Sequence, residues 1–324
     1  MTEQLAFVRD VSPIVSSTLK VYRDDIEMEK GAILSAARIE KNRALYEKYS
    51  EFFSAYPDCF LDMIKPKDSG FHLFEYQRAF LRACMRYRYL YVTAPRAFSK
   101  TFICILALLL KCIFQPGSKL FICAPKKEQS AKIAKEKLEE IFQLFPLLKK
   151  EVAIENYGKD YVRLVLKNRS VLDVVGALDS TRGGRRHGGL IDEVRDHDGQ
   201  ILNEVVLPLM NVSRRTVRGV INPYEKHQTQ FYITSAGTKA SWAYEKNIEI
   251  FERSIINPQD YWSFGCDYRI PIMHGLLDKS YIDDIKTSAT FDEASFAREL
   301  TKAVLFKFLK MLRNAQGYIS YNVI

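Results

Sequence analysis

Two separated segments of the sequence carry residues that could together perform phosphoryl transfer. The first contains Lys100 and Thr101, at the point where a turn meets a predicted helix. The second contains the paired acids Asp192 and Glu193, directly after the apolar residues 190–191. A lysine neutralises phosphate oxygens, a hydroxyl and a carboxylate bind Mg²⁺, and a second carboxylate orients an attacking water. These residue types therefore predict hydrolysis of a nucleoside triphosphate such as ATP.

The turn before Lys100 has the form of a phosphate-binding loop without its glycines. Ala94 and Ser99 stand where the consensus G-x-x-x-x-G-K-[ST] has glycine. Glycine allows positive φ and a close approach of the backbone, so Ser99 requires a less common or slightly strained conformation. The residues of this turn that are expected to surround the phosphates are Pro95, Arg96, Ala97, Ser99, Lys100 and Thr101.

The acidic pair has two possible interpretations. By itself, such a pair would most simply begin a solvated loop or cap a helix. Its occurrence together with the lysine turn favours a catalytic role, in which Asp192 holds Mg²⁺ with the help of Thr101 and Glu193 polarises the attacking water.

Two further segments lie where a nucleotide-driven motor would use them. Tyr76 and Gln77, upstream of the lysine turn, predict a contact of Gln77 with the adenine edge, with Tyr76 packing nearby. Alternatively, they form an ordinary helix surface beside a core aromatic. Thr234, Ser235 and Thr238 follow an apolar segment and predict hydroxyls near the γ-phosphate, where they could sense hydrolysis. A plain turn from strand to loop is the alternative for these three residues.

The elements that must position these residues follow the alternation of an α/β sheet built from crossover units. Strands are predicted at 89–93, 119–123, 190–192 and 230–234, with a hairpin formed by 162–166 and 171–175 and a further possible strand at 267–271. Helices are predicted from Lys100 to about Phe114 and from Pro125 to about Phe145, and the residues beyond Trp242 are expected to be helical.

Composition agrees with a folded protein that has a polyanionic partner. The chain has 324 residues, of which 47% are hydrophobic and 27% charged, and its net charge is +9. An excess of positive charge favours nucleic acid as a partner. The six cysteines form no C-x-x-C pair, so reduced and mostly buried thiols are expected rather than zinc ligands or disulfides. No secretory signal and no membrane span are expected.

In this order, the segments resemble the ATPase domain of the large terminase subunits of tailed bacteriophages, the motors that package DNA into proheads. The similarity runs from about residue 70 to about residue 300. Its motifs are Tyr76-Gln77, Arg96-x-x-Ser99-Lys100-Thr101, the segment 179–183 leading to Ile191-Asp192-Glu193, Thr234–Thr238, and the later stretches 264–269 and 296–299.

The resemblance implies a fold, a mechanism and partners. The fold is a P-loop NTPase of the additional-strand, catalytic-glutamate type, with a mainly parallel sheet flanked by helices. The cofactors are ATP and Mg²⁺. Arg96 would reach phosphate, Arg182 would act as an arginine finger on a neighbouring subunit, and Thr234–Thr238 would couple hydrolysis to movement of a lid. Arg214, Arg215 and Arg218 are candidate contacts to double-stranded DNA, although a solvated charge run is the alternative.

The same resemblance implies portal and small-subunit partners, a homo-oligomeric ring when active, a monomer in isolation, and a location in the cytoplasm of the infected bacterial host. The predicted domains are an N-terminal helical extension (1–65), the ATPase core (66–245) and a lid or linker subdomain with a C-terminal helix (246–324). Nuclease activity is not expected. Two other functions stay open: a DNA-binding or assembly protein with a decayed loop, and a fragment of a superfamily 2 helicase.

Overall fold

A computed structural model describes residues 49–66, 68–177, 184–216, 219–236, 241–293, 296 and 300. Within these residues, eight strands form one sheet in the order β3-β4-β5-β2-β6-β7-β1-β8. The strands are β1 (Tyr89–Thr93), β2 (Lys119–Cys123), β3 (Val152–Tyr157), β4 (Val162–Leu166), β5 (Val171–Val174), β6 (Gly188–Asp192), β7 (Thr229–Thr234) and β8 (Tyr261–Gly265). The pairs β3–β4 and β4–β5 are antiparallel, and the other five are parallel.

Helices cover both faces of this sheet. They are α1 (Pro57–Ile64), α2 (Glu75–Arg86), α3 (Lys100–Phe114), α4 (Lys127–Leu144), α5 (Pro146–Lys150), α6 (Trp242–Ile256), α7 (Arg269–Met273) and α8 (Lys279–Thr287). An irregular helix between β6 and β7 has α-helical turns at Gly199–Ile201 and Leu207–Leu209 around a π-helical segment at Leu202–Val206. No helix in the described ranges is both long and apolar enough to cross a lipid bilayer.

The alternation of side chains along the strands builds a core on each face of the sheet. In β1, Leu90 and Val92 pack with α2, α3 and α4, whereas Tyr91 packs with the irregular helix and α6. Helix α3 is buried almost all round because it lies between the sheet and the helices α2 and α4. Of the six cysteines, five are buried and Cys59 is half-buried, and none of these described cysteines forms a disulfide.

The described part of the predicted N-terminal extension packs directly on the core. Residues 49–55 are helical, and Phe53 and Phe60 belong to the same apolar cluster as α3. Asp58 is fully buried and forms a bidentate ion pair with Arg82, whose Nε and Nη2 atoms lie 2.7 and 2.6 Å from its carboxylate oxygens. This segment therefore braces α2.

Three predictions about the elements differ from the structure. Residues 267–271 do not form a strand: the Asp267 carboxylate accepts a hydrogen bond from the Arg269 backbone N–H, which favours a turn, and α7 begins at Arg269. The strand in this part of the chain is instead β8, which pairs with β1. The core sheet thus extends to Gly265, beyond the domain boundary predicted after residue 245. Strand β3 was not predicted, because its residues lie on an edge and are largely exposed.

Candidate functional site

The phosphate-binding turn joins β1 to α3 at the carboxyl edge of the sheet. Its first residue is held in place because the Ala94 backbone N–H donates to the Thr234 carbonyl oxygen at 3.1 Å. Ala97 and Ser99 have φ angles of 63° and 64°, in the left-handed region that glycine favours. Each such non-glycine residue costs about 1–2 kcal/mol. The predicted unusual conformation of Ser99 is confirmed, and the turn keeps its shape without glycine.

The lysine, the threonine and the two acids converge at this edge. The Thr101 hydroxyl donates to Asp192 Oδ2 at 3.0 Å, and Lys100 Nζ lies 3.6 Å from Glu193 Oε1. Lys100 and Asp192 are buried, with 8% and 2% of their surfaces exposed. Residues separated by more than 90 positions in the chain are therefore brought together. The proximity of Thr101 and Asp192 agrees with the sequence prediction, whereas the ion pair of Lys100 with Glu193 was not predicted.

One strand separates the two halves of the site. In the sheet, β7 lies between β1 and β6, so that Thr93 is level with Thr234 and Asp192 is level with Ile233. This insertion of a strand between the lysine-bearing and acid-bearing strands is the additional-strand arrangement predicted for the fold. It places Thr234 between the phosphate-binding turn and the acids.

The electrostatics of Asp192 are set by its burial. Desolvation and, second, the neighbouring charge of Glu193 raise the pKa of Asp192 to about 6, while Lys100 and the Thr101 hydroxyl oppose the rise. A carboxylate in such surroundings is stabilised by a nearby cation. The charge balance of the site therefore favours a bound positive ion beside Asp192.

Glu193 leaves β6 through a left-handed turn. Its φ and ψ are 48° and 52°, and a 3₁₀ turn at Val194–Asp196 follows. The Glu193 backbone N–H donates to Asp192 Oδ1 at 2.9 Å, and its carbonyl oxygen accepts from the Asp196 N–H at 2.9 Å. This sharp exit turns the Glu193 side chain back toward Lys100 instead of continuing the strand.

The loop after β7 is connected to the acidic segment. Arg195 Nη1 donates to the Ala236 carbonyl oxygen at 3.1 Å. Thr234 and Ser235 are buried, and Thr234 Oγ1 has no hydrogen-bond partner among the described residues. Thr238 lies outside the described residues. Arg195 therefore joins the acidic turn to the loop after β7, and the coupling role of Thr234, Ser235 and Thr238 stays a prediction.

Gln77 and Tyr76 are both engaged inside the protein. Gln77 Oε1 accepts from the Phe74 backbone N–H at 3.0 Å, which caps the start of α2. The Tyr76 ring lies 4.6 Å from Phe98 and 5.2 Å from His274, centroid to centroid, and its hydroxyl donates to the Phe98 carbonyl oxygen at 3.4 Å. Burial raises the pKa of Tyr76 to about 12. Tyr76 thus links α2 to the phosphate-binding turn, Gln77 caps the start of α2, and an adenine contact of Gln77 stays a prediction.

The arginines proposed for catalysis fall in two places. Arg96 is exposed within the phosphate-binding turn, next to the buried Pro95. Arg182 lies outside the described residues, as does the rest of the motif 179–183. Arg186, just beyond that motif, forms a bidentate pair with Asp173 at 3.1 and 2.6 Å and anchors the start of β6.

The predicted contact of the basic loop with DNA is wrong for Arg214, because this residue is buried. Arg214 is only 7% exposed, pairs with both carboxylate oxygens of Glu225 and donates to the Pro116 carbonyl oxygen at 2.8 Å. It is a structural residue, because its donors are used inside the protein, and it is not available to a DNA phosphate. Arg215 is exposed, and Arg218 lies outside the described residues.

Sequence reasoning did not select two residues near the acids, Arg195 and His197. The Nε2 atom of His197 lies 3.0 Å from the Asp192 carbonyl oxygen, and burial lowers the pKa of this histidine. The only available signal was their position within four residues of Glu193. It carries little weight, because charged and polar residues after a strand are common.

Comparisons with known proteins identify the fold. No protein-family model matches the sequence, and no curated protein matches it. The structure is similar to the large terminase ATPase domain of Thermus phage P74-26, with a TM-score of 0.50, 17% identity, and coverage of 73% of this chain and 97% of that one. It is also similar to the large terminase of another thermophilic bacteriophage, in complex with ADP, with a TM-score of 0.51 and 10% identity.

The second comparison covers 70% of this chain and 52% of that terminase, so this chain spans about half the length of that protein. At these identities the similarity concerns the path of the backbone rather than individual side chains. The chain has the P-loop NTPase fold of a bacteriophage large terminase ATPase domain.

Proposed function

We propose that this chain hydrolyses ATP and uses the energy to translocate double-stranded DNA during packaging of a viral genome. The observation that carries the proposal is the convergence of Lys100, Thr101, Asp192 and Glu193 at one edge of the sheet. The ADP complex of the similar phage terminase supports a nucleotide as the ligand. Lys100 would bind the β- and γ-phosphates, and Glu193 would orient the attacking water.

The oxygen donors at this edge fit Mg²⁺. This ion is commonly held by one or two carboxylates, with waters and substrate phosphates completing its coordination. The Thr101 hydroxyl and the buried Asp192 carboxylate, 3.0 Å apart, supply donors of that kind. When bound with ATP, the ion would neutralise charge on the phosphates. Because burial, and second the charge of Glu193, raise the pKa of Asp192 to about 6, a cation beside this carboxylate would stabilise its charged form.

The ion pair between Lys100 and Glu193 suggests how nucleotide prepares the site. Phosphate oxygens would compete with Glu193 for the Lys100 ammonium group, which lies 3.6 Å from Oε1. Glu193 would then be free to polarise water. The second oxygen of the same carboxylate, Oε2, is buried and has no partner among the described residues, so it is available to accept a hydrogen bond from that water.

The wider role extends this reaction to an assembly. Arg96 would reach phosphate from the turn, and Arg182 would complete the site of a neighbouring subunit in a ring. Thr234, Ser235 and Thr238 would transmit hydrolysis to the lid. Arg215 and Arg218 are the remaining candidates for a DNA contact. Portal and small-subunit partners, and the cytoplasm of the infected host, belong to the same proposal.

The direct test measures ATP turnover with and without double-stranded DNA. The wild type is expected to hydrolyse ATP faster when DNA is present. Lys100→Ala should lose nucleotide binding and turnover, whereas Glu193→Gln should still bind a fluorescent ATP analogue and lose about 10²- to 10⁴-fold in kcat, as expected for a general base. Glu136→Gln, on the exposed surface of α4, is the matched control and should keep the wild-type rate.

Two outcomes would contradict the proposal. If the wild type and Glu193→Gln share the same background rate with and without DNA, the chain is not an ATPase, and a DNA-binding or assembly role becomes the better interpretation. If Lys100→Ala keeps full activity, the site lies elsewhere. If Arg182 of one subunit completes the site of its neighbour in a ring, a mixture of the Arg182→Ala and Lys100→Ala variants should recover part of the ATPase activity. In the mixture, some sites would combine an intact Lys100 with an intact Arg182 from the neighbour.

A further inference from the structure

The exit of the chain from β6 depends on a histidine that the proposed mechanism does not use. We propose that His197 is a positioning residue, which holds the peptide between Asp192 and Glu193 in the orientation that directs the Glu193 carboxylate into the site. This inference rests on the proposed ATPase function, in which Glu193 orients the attacking water.

The peptide is held by both of its polar groups. Its N–H, which belongs to Glu193, donates to Asp192 Oδ1 at 2.9 Å. Its carbonyl oxygen, which belongs to Asp192, lies 3.0 Å from His197 Nε2. Two hydrogen bonds at opposite edges of one peptide group restrict its rotation. That rotation determines ψ of Asp192 and φ of Glu193.

The tautomer of His197 follows from its contacts. A carbonyl oxygen only accepts, so Nε2 must carry the hydrogen. The Nδ1 atom is buried and has no hydrogen-bond partner among the described residues. A hydrogen on Nδ1 would be an unsatisfied buried donor, so the ring is held in the neutral form with hydrogen on Nε2. In this form it is a fixed donor to the Asp192 carbonyl oxygen.

The held conformation is one that the chain would not otherwise prefer. Glu193 has a positive φ of 48°, which a non-glycine residue adopts only when its surroundings impose it. Without the bond from His197, the peptide can rotate and Glu193 can return to negative φ. The side chain would then leave Lys100, and the water it orients would be misplaced.

A second histidine makes a similar contact elsewhere and supplies a matched control. His227 Nε2 lies 2.8 Å from the Asn222 carbonyl oxygen, and the two residues are five positions apart, as are His197 and Asp192. His227 precedes β7, whereas Asp192 ends β6, so the two contacts lie at opposite edges of the parallel sheet. Substitution of His227 therefore measures the effect of losing a histidine-to-carbonyl hydrogen bond far from the candidate active site.

The test compares His197→Gln with His197→Asn. The glutamine amide nitrogen reaches about as far from the backbone as Nε2 of histidine, whereas the asparagine amide reaches only as far as Nδ1. His197→Gln is expected to keep kcat within about threefold of the wild type, and His197→Asn to lose about 10- to 100-fold, the order of loss for a misplaced catalytic group. The Kd of a fluorescent ATP analogue should stay unchanged in both, because Lys100 and Thr101 are intact.

Controls separate this role from general stability. His227→Gln and His227→Asn should have equal rates, and thermal unfolding should give similar Tm values for the two His197 variants. Nitrogen-15 spectra of histidine-labelled protein should assign the hydrogen of His197 to Nε2. Equal kcat in the two folded His197 variants, or loss of the fold in His197→Gln, would overturn the proposal. A wild type without ATPase activity would instead overturn the proposed function, and this role with it.

Discussion

At the scale of single residues, the interior contains a lysine whose charge the fold tolerates poorly. Lys111 lies in α3 and is only 1% exposed, and its Nζ has no hydrogen-bond partner among the described residues. A contact with the Phe231 ring, 5.9 Å from the ring centre, offsets part of the cost. Burial lowers the pKa of Lys111 from its ordinary 10.5 to about 8. Below pH 8, the folded protein therefore carries a buried ammonium group.

The sign of the resulting pH dependence follows from proton binding. Between pH 8 and pH 10.5 the unfolded chain retains the Lys111 proton and the folded chain releases it. The unfolded state thus holds more protons, so the contribution of this site to stability rises with pH across that window. Below pH 8 the site destabilises the fold by a nearly constant amount.

Lys111→Met tests this effect. The variant keeps the length of the side chain and removes the charge, so the free energy of unfolding at pH 7 is expected to rise by about 3 kcal/mol. The gain should shrink toward pH 10. Urea unfolding at both pH values measures it, with Lys132→Met, at a side chain 77% exposed, as a control that should change little. A loss of stability in Lys111→Met at pH 7 would show that the ammonium group is stabilising.

Sequence reasoning predicted the residues of the site better than their conformations. Lys100, Thr101, Asp192 and Glu193 could be selected because their types and order are tied to one chemistry. The missing glycine even predicted the unusual φ of Ser99. The left-handed turn at Glu193 could not be predicted, because it depends on hydrogen bonds from residues that carry no distinctive pattern. The burial of Arg214 depends in the same way on Glu225, a partner that forms no motif with it.

At the scale of elements, the segment before residue 65 stabilises the position of α2. α2 begins with the residues that reach the phosphate-binding turn, and α1 fixes α2 through Asp58. Both carboxylate oxygens of Asp58 are paired with arginines on α2, and its side chain is fully buried. Removal of the charge leaves a neutral group at the buried Asp58 position, beside arginines whose side chains are 19% (Arg78) and 36% (Arg82) exposed.

Asp58→Asn is therefore expected to lower the free energy of unfolding by about 3 kcal/mol, the lower part of the range for a broken buried ion pair. Asp62→Asn is the matched control. That carboxylate also pairs with Arg78, at 2.6 Å, but it is 38% exposed, so the loss should be below about 1 kcal/mol. Urea denaturation compares the two variants. Equal losses would contradict the importance of burial at Asp58.

Helices and strands could be predicted where residues that favour turns lie at both of their ends. The helix from Lys100 to Phe114 and the strand from Lys119 to Cys123 have the predicted bounds, since a turn or a Pro-Gly pair lies on each side. β8 was missed because its aromatic residues directly follow a helix with only a short turn between. Its pairing with β1 is a long-range contact that no local pattern encodes.

At the scale of the whole molecule, β8 makes the region after residue 245 part of the core. The Phe264 ring lies 5.8 Å from Phe98, and Trp262 lies 6.3 Å from Phe80, centroid to centroid. The Cys266 backbone N–H donates to the Thr93 carbonyl oxygen at 3.1 Å. The predicted boundary would therefore cut through one packed unit.

Truncated chains test whether β8 is required for the core to fold. A chain that ends at residue 245 should aggregate, because it lacks β8 and most of α6 and exposes the edge of β1 with its apolar neighbours. A chain that ends at residue 300 retains all eight described strands and should stay in solution and unfold cooperatively. Size-exclusion chromatography and circular dichroism distinguish the two. A soluble, cooperatively folded chain ending at 245 would show that β8 is dispensable.

The position of β1 between two parallel neighbours also has a mechanical meaning. All five residues of β1, from Tyr89 to Thr93, are in register with β7 on one side and β8 on the other. A pull along the strands loads the hydrogen bonds of each pair together instead of opening them one at a time. The strand that carries the phosphate-binding turn is thus held on both sides along its whole length. A force on either neighbouring strand is therefore transmitted to that turn with little displacement.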